Sequence, residues 1–261
     1  MRVGIISGSG SHDWPRLAAP DPRTCRTAYG SVELTFGSVS GVQVVHLSRH
    51  GAGHARLSNH VSHKANLTAL LDAKVDCVIS LTVCGAVDPQ VELGSLIAFD
   101  DLYFPSNRLA DGTLCTWHDA PGLTGRGHWI FDAPFSESLR ETLVGAARDV
   151  GASVRDGGCY GQVDGPRFNS RAEIAALRAA GIAAVSQTAG PEVVLAGEAQ
   201  LPLSVLGYVT DHANGVAPPQ PVTQLLELMA ASTETFARVL EAALPQIDKP
   251  DVPGLVHRFT P

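Results

Sequence analysis

The chain has 261 residues, a net charge of −7 and 44% hydrophobic residues, and this length suffices for a single α/β domain spanning residues 1–261. The acidic balance and the lack of any Lys/Arg run argue against a nucleic-acid partner. No apolar stretch is long enough for a membrane span or a signal peptide, and five scattered cysteines without CxxC spacing are typical of reduced thiols, so we expect a cytoplasmic protein that does not bind membranes.

The first half of the chain predicts strands that end in polar or glycine-rich residues. The patterns typical of strands cover residues 3–6, 32–36, 42–47 and 75–81. The first strand leads into Gly8-Ser9-Gly10, the two middle strands form a predicted hairpin that ends at Arg49 and His50, and the last runs into a glycine turn at 82–86. A helix is predicted over 59–73.

The second half continues the alternation. After a strand at 96–99, residues 104–135 are irregular, which is typical of a functional loop or of a segment packed on a partner subunit. Capping boxes at 138–141 and 170–173 predict two helix starts. A strand at 203–209 and a helix at about 223–244 follow.

The stretch 182–198 is the most informative in the chain. Residues 182–185 predict a strand, Thr188-Ala-Gly190 a tight turn, and Pro191 the first helical residue. The unpaired amides of such a helix start would form an anion site with the Thr188 hydroxyl at its mouth. The same residues are also typical of an ordinary strand–helix connection without a ligand. Strands and helices alternating throughout predict an α/β fold with a twisted, mixed, mostly parallel β-sheet flanked by helices.

Several strand-end segments, taken together and in order, resemble the trimeric purine nucleoside phosphorylases, and among them the 5'-methylthioadenosine phosphorylases. The segments that carry the resemblance are Ile5-Ile-Ser-Gly-Ser-Gly10, Arg49-His50-Gly51, Ala65-Asn66, Thr82-Val-Cys-Gly85, Asp164-Gly-Pro-Arg-Phe168, Ser170-Arg-Ala-Glu173, Pro191-Glu-Val-Val-Leu-Ala196 and Val209-Thr-Asp211.

The resemblance implies a homotrimer that cleaves the N-glycosidic bond of a purine nucleoside with inorganic phosphate as co-substrate and without a cofactor or a metal. It implies that phosphate is held by Ser9, Arg49, His50, the Val83 amide and Thr188. It further implies that Phe168 stacks on the base, Gln187 lies at the ribose hydroxyls, Asp211 lies at the base edge as the catalytic residue, and His128 of a neighbouring subunit lies near the 5' end of the sugar.

Two positions depart from the methylthioadenosine pattern. Gln187 stands where the family usually has methionine, and Ala213 replaces a second aspartate two residues after Asp211. An ionised Asp211 accepts hydrogen bonds only, which suits the 6-amino group of adenine and opposes a 6-oxo group. We therefore expect 5'-methylthioadenosine as the substrate, with a 6-oxopurine nucleoside or methylthioinosine as the alternative.

Two other classes of function compete with this interpretation. The histidines at 46, 50, 54, 60 and 63 fall in one short stretch, as in some metal-dependent hydrolases, but no HExxH motif or paired-carboxylate spacing accompanies them. A non-catalytic nucleoside-binding protein is the other alternative. For Glu192, a position in the first helical turn favours a partner of the helix dipole over a sugar ligand.

Overall fold

The computed structural model describes residues 1–9 and 16–259; Gly10, part of the predicted first turn, lies outside these residues. The strands of this part of the chain are Arg2–Ser7 (β1), Ala18–Thr27 (β2), Gly30–Val39 (β3), Val42–Ser48 (β4), Cys77–Ala86 (β5), Leu96–Ala98 (β6), Asp101–Tyr103 (β7), Gly127–Ile130 (β8), Val154–Asp156 (β9), Cys159–Gln162 (β10), Ile182–Ser186 (β11), Leu203–His212 (β12) and Leu255–Arg258 (β13). The α-helices are His63–Asp72 (α1), Glu137–Asp149 (α2), Arg171–Ala179 (α3), Ala189–Glu198 (α4) and Val222–Ala243 (α5).

Within the described residues, eleven strands form one mixed sheet centred on β5. This strand pairs in parallel with β1 and with β12, and its end pairs antiparallel with β11. The pairs β1–β4, β7–β10 and β10–β11 are also parallel, so the predicted mixed, mostly parallel sheet is confirmed. Because β1, β4, β5 and β12 run in the same direction, their carboxyl ends meet at one edge.

Helices cover both faces of the sheet, which gives the predicted α/β class. Helices α1 and α4 pack into one apolar cluster through residues such as Leu67 and Leu195. Helices α2 and α5 pack into a second cluster, with Leu143 and Phe236 among its fully buried members. Burial of a side chain of this size stabilises the fold by about 1.5–3 kcal/mol, so the layers are held mainly by apolar packing.

The predicted hairpin is confirmed, since β3 and β4 pair antiparallel from Val39 and Val42. The glycine turn predicted at 82–86 is wrong, because β5 continues through these residues. Gly85 is paired on one side with Asp211 of β12 and on the other with Val185 of β11. Partners on both sides override the weak strand propensity of glycine.

One capping prediction is confirmed and one is wrong. Ser170 and Glu173 form the predicted capping box at the start of α3. Helix α2 instead begins at Glu137, and its first amides are capped by the carboxylate of Asp251, which accepts from the amides of Glu137 at 3.2 Å and Ser138 at 2.8 Å. A cap supplied from more than a hundred residues away cannot be read from local sequence.

Six strands of the described residues lack a sequence prediction, namely β2, β7, β8, β9, β10 and β13. Strand β2 contains Pro20 and Pro22 and lies at the sheet edge, where proline is tolerated, and β13 pairs with β8 inside the segment predicted to be irregular. That segment is anchored by its tryptophans: the indole of Trp117 donates to the Leu195 carbonyl and that of Trp129 to the Pro253 carbonyl.

In the described part of the chain, no helix combines the length and apolar character needed to cross a bilayer.

Candidate active site

A pocket opens at the edge where the carboxyl ends of the parallel strands meet. It encloses about 1050 Å³, part of it open to solvent, and is lined by residues that follow or end β1, β4, β5, β11 and β12. This is the place where open α/β sheets bind ligands, because strand ends and helix starts converge there.

Eight of the nine residues singled out in the sequence line this pocket: Ser9, Arg49, His50, Val83, Phe168, Gln187, Thr188 and Asp211. The ninth, His128, is not among the lining residues. It lies on β8 opposite His257 of β13, with its ring edge-on to Phe259 at 5.4 Å between ring centroids. The sequence resemblance places His128 in the site of a neighbouring subunit, and this role stays a prediction.

The guanidinium of Arg49 is fully buried and holds Glu192. Its Nε and Nη2 donate to the two carboxylate oxygens at 2.5 and 3.0 Å, Nη2 also donates to Ser80 Oγ at 2.8 Å, and Nη1 donates to the Leu81 carbonyl at 3.0 Å. Of the five N–H groups of arginine, one on Nη1 remains for a ligand. Arg49, which the resemblance assigns to phosphate, therefore binds the Glu192 carboxylate through two hydrogen bonds in this structure.

Glu192 has a role that the sequence did not indicate. Its carboxylate is completely buried and accepts from Arg49 and from Ser80 Oγ at 2.6 Å. Its position in the first turn of α4 does favour a negative charge, as predicted. The tertiary structure adds the decisive partner, because a buried carboxylate without a cation would be costly.

The start of α4 differs from the prediction. The helix begins at Ala189 with Thr188 as N-cap, so Pro191 is the third helical residue rather than the first. The predicted set of unpaired amides is wrong: the Ala189 amide donates to the Tyr160 hydroxyl and the Gly190 amide to Gln162 Oε1. The Thr188 hydroxyl and the positive end of the helix dipole are what this helix start can offer an anion.

His50 is buried, and burial together with the nearby Arg49 lowers its pKa to about 4. Its Nδ1 lies 2.8 Å from the Arg56 carbonyl, which can only accept, so Nδ1 carries the proton and Nε2 has a lone pair. Its ring stacks on His54 with centroids 4.2 Å apart, and His54 Nε2 lies 2.8 Å from Ser9 Oγ. The predicted phosphate residues Ser9 and His50 are thus linked through His54, which the sequence indicated only as one of the histidines of a possible metal site.

Asp211 lies near the end of β12, beside a register shift, and its carboxylate lies over Gly85. One carboxylate oxygen accepts from Thr210 Oγ1 at 2.8 Å. Burial raises the pKa of Asp211 above its usual value, against the lowering effect of the Thr210 hydrogen bond. The site therefore holds a carboxyl group whose protonated form is favoured more than in water.

The rest of the pocket is largely apolar. Ile174 and Val185 line it next to Ala213, and α5 contributes Leu225 and Met229. The i, i+4 spacing of Leu225 and Met229 on one helix face was the available sequence signal for these two residues. Ala213 is buried against apolar neighbours, so no second carboxyl group stands at this position.

The histidine-rich stretch does not gather into a metal site, although His50 and His54 stack on each other. His46 is buried with its Nε2 2.7 Å from Ser7 Oγ, His60 is exposed, and His63 is buried at the start of α1. Among residues 1–9 and 16–259, no three His, Cys, Asp or Glu side chains are grouped so as to hold a metal ion. The geometry of these histidines gives no support to a metal-dependent hydrolase.

Comparison with known proteins connects this site to one family. A model of the phosphorylase superfamily matches residues 2–245. The 6-oxopurine nucleoside phosphorylase of Pyrococcus furiosus is 31% identical, with 95% of this chain and 94% of that protein covered. The S-methyl-5'-thioadenosine phosphorylase of Thermofilum pendens is 30% identical, with 95% and 92% covered.

A similar solved structure is the methylthioadenosine phosphorylase of Schistosoma mansoni in complex with adenine. It superposes with a TM-score of 0.85 at 28% identity, and the match covers 94% of this chain and 91% of that one.

Proposed function

Because the chain belongs to the phosphorylase superfamily, we propose that this enzyme cleaves 5'-methylthioadenosine with phosphate, giving adenine and 5-methylthioribose 1-phosphate. The observation that carries the proposal is the convergence of Asp211, suited to a purine edge, with the Thr188 hydroxyl at a helix N-terminus in one pocket. One group recognises the base and the other favours an anion, as phosphorolysis requires.

The reaction needs no protein nucleophile. A phosphate oxygen attacks C1' of the sugar, the bond from C1' to N9 breaks, and the base leaves with the bonding electrons. The sugar becomes oxocarbenium-like and the base gains negative charge, so phosphate beneath the sugar and a proton donor at N7 lower the barrier. The protein supplies fixed donors and an orienting pocket.

We assign phosphate binding to Thr188, Ser9, the Val83 amide, the remaining Nη1–H of Arg49, and His50. Since His50 is neutral with its proton on Nδ1, its Nε2 is suited to accept from a protonated phosphate oxygen. Hydrogen bonds from neutral donors to a charged oxygen contribute about 1.5–3 kcal/mol each, so a few such contacts hold the anion without a free cationic cluster.

We assign base recognition to Asp211 and Phe168. An ionised Asp211 accepts from the 6-amino group, and a protonated Asp211 donates to N7 as charge develops, which its raised pKa favours. Phe168 lines the pocket and exposes 63% of its surface, which leaves a ring face available for stacking. The apolar Leu225 and Met229 are compatible with a methylthio group.

The enzyme is proposed to act as a homotrimer in which His128 enters a neighbouring site. Support comes from exposed apolar side chains on the β8–β13 ribbon, Ile130 by 56% and Leu255 by 55%, and from Phe259 directly after it, which is exposed by 45%. Such a patch is typical of a protein interface. Light scattering on the purified protein measures the oligomeric state. A cytoplasmic location stays a prediction from sequence.

A 6-oxopurine nucleoside is the second candidate, since a protonated Asp211 can also donate to O6 and the Pyrococcus furiosus relative carries that name. A panel of methylthioadenosine, adenosine, methylthioinosine and inosine, assayed with and without phosphate, separates the candidates. We expect phosphate-dependent release of adenine, and Asp211→Asn should shift the preference toward 6-oxopurines. Cleavage that proceeds equally without phosphate would reject the proposed function, and a wild type faster on inosine would reject the role given to Asp211.

A further inference from the structure

Gln187 bridges two segments of the pocket. It follows β11 and precedes Thr188, and both ends of its amide are engaged. Ser58 Oγ donates to its Oε1 at 2.8 Å, and its Nε2 donates to the Arg167 carbonyl at 3.1 Å. The side chain therefore joins the short 3₁₀ helix Ser58–His60 to the loop before α3.

A third contact shows that the bridge is closely packed. A Cβ atom added at Gly165 would collide with both Gln187 Oε1 and Ser58 Oγ. The backbone of Gly165 thus lies directly against the hydrogen bond between these two side chains. A side chain at position 165 would therefore force the Gln187 and Ser58 side chains to shift.

The two bridged segments carry much of the pocket wall. Leu57 and Ser58 line it from one segment, and Pro166 and Phe168 line it from the other. Phe168 is exposed, and its neighbour Arg167 is fixed twice: its guanidinium pairs with Glu173 at 2.7 Å, and its carbonyl accepts from Gln187. The Gln187 contact therefore holds the backbone directly before the exposed ring.

We propose that Gln187 is a positioning residue, which promotes nucleoside binding by tying Ser58 to the Arg167 carbonyl rather than by contacting ribose hydroxyls. This inference rests on the proposed phosphorylase function. Loss of the bridge lowers the fraction of molecules whose two segments are ready to bind, and the apparent affinity for the nucleoside falls by that fraction. Once the nucleoside is bound, the chemical step is unchanged, so the Michaelis constant changes and kcat does not.

The kinetic test compares the wild type with Ser58→Ala, Gln187→Met and the double variant. Each single variant should raise the KM for methylthioadenosine about three- to tenfold, the effect of one or two lost neutral hydrogen bonds, with kcat within twofold. The double variant should match Gln187→Met within twofold, because both substitutions break one bridge. The preference for riboside over 2'-deoxyriboside should stay constant. Gln246→Met is the matched control, since Gln246 is exposed and its Nε2 donates to the nearby Ala242 carbonyl.

A second measurement does not depend on activity. Hydrogen exchange of the peptides covering 54–60 and 163–169 should accelerate in Ser58→Ala and Gln187→Met and stay unchanged in Gln246→Met. The proposed bridge would be wrong if hydrogen exchange and KM were unchanged in Ser58→Ala. It would also be wrong if the KM increases of the two single variants multiplied in the double variant. A shifted riboside preference in Gln187→Met alone would assign Gln187 to the ribose instead. If the wild type shows no phosphorolysis while exchange responds as expected, the proposed function fails and the bridge stands.

Discussion

Replacing Arg49 with methionine should destabilise this protein strongly, because it leaves the carboxylate of Glu192 buried without a cation. Arg49 exposes 1% of its side chain and Glu192 none, and two hydrogen bonds join them. Methionine retains most of the apolar stem of arginine, so the substitution mainly removes charge and donors. Ser80 remains as the partner of Glu192 through one hydroxyl.

The size of the effect follows from the burial of both charges. Removing one partner of a buried ion pair costs about 3–5 kcal/mol, since the other charge stays desolvated. For a chain of this size, each kcal/mol lowers the melting temperature by roughly 2–4 °C, so a decrease of about 6–20 °C is expected. Replacing both residues with apolar ones, Arg49→Met with Glu192→Leu, should regain at least about 2 kcal/mol over Arg49→Met alone.

Urea denaturation followed by circular dichroism, at one fixed protein concentration, measures these free energies of unfolding. Arg16→Met is the matched control, because Arg16 and Glu234 form an exposed pair at 2.9 Å with 73% and 59% of their side chains accessible. Its cost should stay below about 1 kcal/mol. A double variant at positions 49 and 192 that is as unstable as the sum of its single variants would refute the argument that the uncompensated buried charge dominates.

Two further predictions concern the pocket and the response to pH. Thr188→Val, which removes one donor to a charged oxygen, should raise the phosphate KM by roughly 10- to 100-fold and leave thermal unfolding unchanged; an unaltered phosphate KM in steady-state assays would remove Thr188 from the anion site. Burial lowers the pKa of His63 from 6.5 to about 4; Glu192 opposes this shift and Arg49 adds to it. The folded protein therefore holds His63 neutral, and the resulting stability is fully present above pH 6.5 and is lost as the pH falls toward 4. His63→Phe should therefore flatten the loss of stability between pH 6.5 and 4 by up to about 3 kcal/mol in urea titrations, whereas exposed His60→Phe should follow the wild type.

Much of the fold was predictable because it is encoded locally. Apolar runs of strand length and the capping box at Ser170 predicted elements that the structure contains, and the alternation of strands and helices predicted a mostly parallel sheet. The errors lie where a distant partner overrides local preference. Strand β5 continues through Gly85 because β11 and β12 pair with it there, and α2 begins at Glu137 because Asp251 caps it.

In the candidate site, too, some features follow from the sequence and others only from the tertiary structure. The sequence alone determined which residue types stand at the strand ends, and eight of the nine residues singled out line one pocket, because parallel strands bring their carboxyl ends to a common edge. Hydrogen-bond partners were decided only by the tertiary structure. Arg49 engages Glu192, the first amides of α4 engage Tyr160 and Gln162, and Gln187 engages Ser58. These partners are up to 143 residues apart in the chain. Which acceptor a buried donor binds depends on the distances between groups in the folded protein, and the order of residues does not specify those distances.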